Sequence, residues 1–182
     1  TFVQESLDDF GKYAYSRGAN PTRNAFEELF AKFEGSKYAF ALASGMAATS
    51  AAFSLLKSGD RVLLNNNVYG GTYRYVSGIF KNQGINYDLV DDLNLITEIP
   101  SDVKMVFIET PSNPLLRVTD IERISELAHK NGALVVMDNT FLTPYYQRPL
   151  EHGADVVVYS ATKYIGGHAD LIAGIVTTND DE

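Results

Sequence analysis

A set of short, almost wholly apolar runs, set between segments of helical period, constrains this chain more than any other feature. Leu134-Val135-Val136-Met137 and Val156-Val157-Val158 contain no polar residue. A strand with one wet face alternates polar and apolar residues. A strand without that alternation is buried on both faces, which requires helices above and below its sheet. Strands are predicted at residues 38–43, 61–65, 86–90, 104–109, 133–138, 155–159 and 171–177, with helices at 46–57, 72–83 and 121–131 and a short one at 147–152. Earlier in the chain, Phe26, Leu29, Phe30 and Phe33 fall at i, i+3, i+4 and i+7, one helical face, and Gly35 is placed to end it. The helix at 121–131 has the clearest signals: Thr119 or Asp120 to cap it, Glu122 and Glu126 in its early turns, and Asn131-Gly132 to close it. The expected class is α/β, a mostly parallel seven-stranded sheet with helices on both faces.

At 182 residues the chain has the length of about one domain. The first 24 residues are polar, with Gly11, Gly18, Asn20 and Pro21, and read as an arm. Fifteen basic against 23 acidic residues leave a net charge of −8, a poor basis for non-specific nucleic-acid binding. A small anion can still be held locally by a few cations and backbone amides. The absence of cysteine excludes disulfides, thiolate metal sites, iron–sulfur clusters and cysteine nucleophiles. No run of eighteen apolar residues is present, and Thr1-Phe2-Val3-Gln4-Glu5 has none of the marks of a signal peptide, so the expected location is the cytoplasm. His129, His152 and His168 are scattered, and no metal site is expected.

In sheets of this class, ligands bind beyond the carboxyl ends of the strands. The chemically useful side chains collect there. Ser44-Gly45-Met46 follows the first strand and opens a helix, where free amides suit a phosphate; an ordinary helix cap is the competing reading. Tyr69 follows the second strand, and Glu109 and Asn113 the fourth. Asp138 and Thr140 follow the fifth. Asp138 there either serves a ligand or caps the next segment. Ser160, Thr162 and Lys163 follow the sixth, with Gly166-Gly167 behind them. A partly desolvated Lys163 would have a lowered pKa and a free amine for a Schiff base, whereas a solvated lysine would be ordinary surface. Arg17 in the arm has the guanidinium fork that clamps phosphate, although a surface arginine is the commoner case. Neither a G-x-G-x-x-G in a strand–helix setting nor a P-loop is present.

Six motifs in order bear a family resemblance. They are Tyr15-Ser16-Arg17 with Asn20-Pro21-Thr22; Ala43-Ser44-Gly45-Met46-Ala47-Ala48; Tyr69-Gly70-Gly71-Thr72; Glu109-Thr110-Pro111-Ser112-Asn113-Pro114; Asp138-Asn139-Thr140-Phe141; and Ser160-Ala161-Thr162-Lys163-Tyr164. Together they resemble the Cys/Met-metabolism branch of pyridoxal-phosphate (PLP) enzymes of the aspartate-aminotransferase-like fold, which includes cystathionine lyases, cystathionine synthases and methionine lyases. The resemblance implies PLP as cofactor. It makes Lys163 the Schiff-base and proton-moving lysine, Asp138 the partner of the pyridine nitrogen, and Tyr69 the tyrosine that stacks on the ring and assists proton transfer, the three catalytic residues it implies. It makes Gly45, Met46, Ser160 and Thr162 the phosphate cradle, Asn113 the neighbour of the ring hydroxyl, and Tyr15 and Arg17 a pair reaching the phosphate in a neighbouring subunit. Glu109 and Thr140 lie in matching motifs.

The resemblance further implies an arm at residues 1–24 that serves the neighbour's site and a PLP-binding large domain at residues 25–182. In the family a smaller C-terminal domain follows and carries the arginine that grips the substrate carboxylate. The chain stops before it, so a fragment inactive by itself is one expectation. The implied activity is trans-sulfuration in cysteine and methionine metabolism, with a small sulfur amino acid as substrate. A cystathionine C–S lyase acting by β- or γ-elimination comes first, and a cystathionine γ-synthase second. Gly71 stands where methionine lyases tend to carry a cysteine. The implied assembly is a dimer at least, and a homotetramer as a dimer of dimers.

Overall fold

The structure is a computed structural model that describes residues 2–4 and 6–181. Seven strands form one sheet in the order β1-β7-β6-β5-β4-β2-β3. They are β1 (Tyr38–Leu42), β2 (Arg61–Asn65), β3 (Asn86–Val90), β4 (Val103–Glu109), β5 (Leu134–Asp138), β6 (Val156–Tyr159) and β7 (Gly174–Thr178). β2 to β6 pair in parallel; β7 runs antiparallel to both β6 and β1. From β2 the chain moves outward to β3, then returns to the other side of β2 and proceeds through β4, β5 and β6. The order therefore reverses between β2 and β4, the kind of crevice in which open α/β sheets hold ligands.

Helices α1 (Pro21–Glu34) and α4 (Ile121–Lys130) cover one face, burying Phe30, Ile121, Ile124 and Ala128 against Val106, Val135, Val157 and Tyr159. On the opposite face, α2 (Gly45–Phe53) and α3 (Gly70–Gln83) bury Ala48, Phe53, Val76 and Phe80 against Val62, Leu64, Phe107 and Val136. The mostly parallel, two-faced sheet expected from the apolar runs is what forms. A single turn of helix, α5 (Thr143–Tyr146), follows β5.

Several boundaries differ from the sequence expectation, each for a local reason. α1 begins at Pro21, inside the segment read as arm. Asn20 accepts the Arg23 amide at 2.8 Å, and Pro21 supplies the φ that a first helical residue needs. Its far end is closed by Gly35 in the left-handed region at φ 76°. α2 ends at Phe53, four residues early, and the expected helix at 147–152 is instead α5 followed by a 3₁₀ turn at Pro149–His152. β7 starts at Gly174 because Leu171 and Ile172, though apolar, lie exposed in a loop; Ile172 is 73% exposed.

The predicted apolar stripe of α1 is only partly buried: Phe30 is in the core, but Leu29 is 67% exposed and Phe33 is also exposed. Arg23 stitches the arm to this helix by donating to the carbonyls of Arg17 (3.0 Å) and Gly18 (2.5 Å). Glu27, paired with Arg23 at 3.5 Å, accepts the Ala41 amide of β1 at 2.8 Å. No helix among the described residues is long and apolar enough to cross a membrane.

Candidate functional site

Strand parity brings the polar residues together. Side chains alternate along a strand, so Met105, Phe107 and Glu109 share a face of β4, and Val136 and Asp138 share a face of β5. Ser160, one residue past β6, continues the face of Val156 and Val158. The inner members pack against α2 and α3. The last members step beyond the cover of those helices at the carboxyl edge. Glu109 and Asp138 are register partners, so two carboxyls stand side by side there.

Both carboxyls are held above their ordinary range. Burial, then the neighbouring Asp138, pushes Glu109 up to about 8, against the lowering effect of two backbone amides. Those amides belong to Tyr69, donating to Oε2 at 2.7 Å, and Asn113, donating to Oε1 at 2.6 Å. Burial also raises Asp138, offset by its bonds with Thr140, whose amide donates to Oδ1 at 3.0 Å. The Thr140 hydroxyl in turn accepts the Ser160 amide at 2.8 Å, which locks the β5 and β6 loops together. Like charges this close are costly, so a cation placed beside Asp138 would be stabilised by both groups.

The start of α2 faces this edge. Ser44 caps the helix by accepting the Ala47 amide at 3.1 Å, and its carbonyl takes Ala48 at 3.0 Å. Among the described residues no protein group takes the amides of Gly45 or Met46. A Cβ on Gly45 would lie 2.6 Å from the Ser160 Cβ, so glycine is needed for α2 to come this close to the β6 loop. Met46 and the Tyr69 ring crowd Gly71: a Cβ there would lie 2.9 Å from the Met46 sulfur and would collide with the ring. A cysteine at position 71 would therefore require the Tyr69 ring to move. The Tyr69 side chain is exposed at the mouth.

Of the two readings of Lys163, the structure shows the solvated one. It is exposed, in a run of tight turns where its amide donates to Ser160 at 3.1 Å and its carbonyl accepts Gly167 at 2.8 Å. The loop that carries it leaves the sheet at the edge rather than folding into the core. Thr162 is engaged with Ala173, donating to its carbonyl at 3.2 Å and accepting its amide at 3.1 Å. Its hydroxyl proton is thus spent on joining the lysine loop to the approach to β7. Tyr15 and Arg17 pair on the arm, the guanidinium 5.2 Å from the ring centroid, with Tyr15 exposed. Neither makes a hydrogen bond to Asp138, Lys163 or the α2 start among the described residues. His129 pairs with Asp155 at 3.0 Å, and His168 meets the Gly166 carbonyl at 3.0 Å, both away from the carboxyls.

Behind the edge lies a buried polar chain that the sequence reading did not find. Asn139, next to Asp138, donates to the Tyr159 hydroxyl at 3.0 Å and to the Gln147 carbonyl at 2.7 Å. Gln147 donates to the Asn139 side chain at 2.9 Å and to the Thr110 carbonyl at 3.0 Å. The Tyr159 hydroxyl donates to Glu34. No single motif signals this chain, because its members come from four distant segments.

These features fit PLP. The free amides at a helix start and the nearby Ser160 suit a phosphate, Asp138 suits a pyridinium nitrogen, and Lys163 supplies an amine on the adjoining loop. Comparison with known proteins agrees. The sequence model of the Cys/Met metabolism PLP-dependent enzyme family matches residues 1–182. The chain belongs to this family. A cystathionine beta-lyase of Lactococcus lactis subsp. cremoris is 50% identical over all of this chain and 49% of its own length. A cystathionine gamma-lyase of Dictyostelium discoideum is 46% identical, again over the whole chain and 48% of its own length. Among solved structures, a cystathionine gamma-lyase from Lactobacillus plantarum, complexed with L-serine, superposes with a TM-score of 0.92 at 44% identity, covering 99% of this chain and 48% of that one. The chain thus spans about half the length of the relatives it matches. Its fold is that of the PLP-dependent, fold type I enzymes.

Proposed function

We propose that the chain is the PLP-binding part of a carbon–sulfur lyase that acts on cystathionine or a related small sulfur amino acid. The observation that carries this reading is the joint placement of the Glu109–Asp138 carboxyl pair, the open α2 start and Lys163 at one sheet edge, in a chain about half identical to named cystathionine lyases. PLP, when bound, withdraws electrons from the substrate and so makes its Cα–H acidic.

In this proposal the protein's own groups do the rest. The Gly45 and Met46 amides and the Ser160 hydroxyl would hold the phosphate. Asp138, fixed by Thr140, would pair with the ring nitrogen. Tyr69 and Asn113 would help to hold the ring. Lys163 would hold the cofactor through Nζ and would be the base that takes the substrate's Cα proton. Its exposure leaves the amine free to move between those tasks. Tyr15 and Arg17 serve a second copy's phosphate, so the active unit is at least a dimer, working in the cytoplasm. Relatives at similar identity carry both the beta-lyase and the gamma-lyase names, and the proposal covers both eliminations.

Borohydride reduction after incubation with PLP, followed by peptide mapping, tests the core of this reading. The expected result is a pyridoxyl adduct on Lys163 that is absent from Lys163→Ala. An adduct spread over several surface lysines, or none, would sink it. In an active assembly, ammonia and a keto acid should form from cystathionine alone; a requirement for cysteine and an activated homoserine would mark a synthase instead.

A further inference from the structure

The crevice where the sheet order reverses is spanned by one side chain. The loop after β2 carries Tyr69, and the loop after β4 carries Asn113; they leave neighbouring strands at the reversal. Glu109 ends β4 and is 5% exposed. Its Oε2 takes the Tyr69 amide and its Oε1 the Asn113 amide, at 2.7 and 2.6 Å. Each oxygen thus serves a different loop. Tyr69 also stands at the N-cap of α3, where its side chain makes no capping hydrogen bond. A carboxyl oxygen from the adjacent strand accepts the amide at this helix end instead.

We infer that Glu109 is the positioning residue of the pocket: its carboxylate ties the Tyr69 loop to the Asn113 loop and sets the width of the crevice above Asp138. The tie itself follows from the hydrogen bonds. What the crevice is set to receive, the PLP ring, rests on the proposed function. Two backbone amides are fixed donors, so a carboxylate gripping both determines where the following side chains start. Register pairing with Asp138 places this grip beside the group assigned to the ring nitrogen. Glu109 reaches the ring only through the residues it holds.

Glu109→Gln keeps the length but replaces one acceptor oxygen with a donor, so one amide must lose its partner. Glu109→Asp keeps the carboxyl group but is one methylene too short to span both loops. Amide hydrogen exchange on the unliganded chain reads the tie directly. The expected result is at least tenfold faster exchange at Tyr69, Asn113 or both in each variant, with the amides of β2 and β4 unchanged. Unchanged exchange at both positions, or faster exchange throughout the two strands, overturns the inference.

PLP titration, followed by the visible absorbance of the Lys163 adduct, reads the consequence. The apparent Kd should rise at least fivefold in both variants, with the adduct still on Lys163. A Kd equal to wild type in a variant whose loops exchange faster overturns the positioning role. If wild type forms no adduct, the cofactor reading fails, and the exchange result still decides the tie.

Discussion

Two buried glutamates, one on each face of the sheet, repay comparison. Glu34 ends α1 and is fully buried; one oxygen receives the Tyr159 hydroxyl, and the other has no partner. Glu109 has both oxygens filled by amides, one of them that of the exposed Tyr69. Burial is the main cause that lifts both, to about 7 for Glu34 and about 8 for Glu109. The same burial lifts the Tyr159 phenol, with Glu34 adding to the effect. Similar desolvation therefore serves two ends. Glu34 is sealed at the α1 end against Tyr159, where it acts as a structural anchor. Glu109 has a place beside an open edge. A raised pKa alone would not separate them; the partners and the exposure of the neighbours do.

The largest effect expected from breaking this comparison comes from Glu34→Ala. It opens a cavity and strips the Tyr159 hydroxyl of its acceptor, which should cost about 3–4 kcal/mol in urea unfolding. A loss near zero would mean that the Glu34–Tyr159 contact contributes nothing and that the contrast with Glu109 is empty. Next comes the pH profile. A carboxyl raised in the folded state stabilises fully below its unfolded pKa, and that stability is lost as pH rises through the folded value. Glu34, lifted from 4.5 to about 7, should therefore withdraw roughly 3 kcal/mol as pH rises from 4.5 to above 7. In Glu34→Gln this loss should vanish, while the part due to Glu109, reaching to about 8, persists. Denaturant midpoints at pH 5, 7 and 8.5 would show it; identical profiles in the two proteins would refute the assignment. The smallest effect sharpens the site side. Ser44→Ala removes the α2 cap and should cost about 1 kcal/mol, with little change in pH dependence, as differential scanning calorimetry can check.

What could be read from the sequence follows from how local each signal is. The apolar runs of β5 and β6 announced a sheet covered on both faces, because a strand's solvent exposure is written in its alternation. Asp138 and Ser160 reached the edge by the same parity. The strands could be found separately, but their order could not, and neither could the antiparallel entry of β7. Leu171 and Ile172 read as strand because apolar residues in a loop look the same one at a time. The exposure of Lys163 stayed open between two readings because an apolar strand ahead of a residue says nothing about where the next turn points. Glu109 stood in a noted motif, but its grip on two loops depends on which strands become neighbours. Glu34 was invisible for the same reason: Tyr159 lies 125 residues away.

The pairing of β1 with β7 has a consequence for how the chain comes into being. β1 is an edge strand, and its hydrogen-bonding neighbour is β7, with Tyr38 set against Thr178 and Leu42 against Gly174. A ribosome adding about 5–20 residues per second needs on the order of ten seconds to deliver that partner after β1 has emerged. During that interval α1 has no finished sheet to dock on, and its apolar residues, Phe30 among them, stay uncovered. An edge strand made early is thus secured only once its late partner has been made.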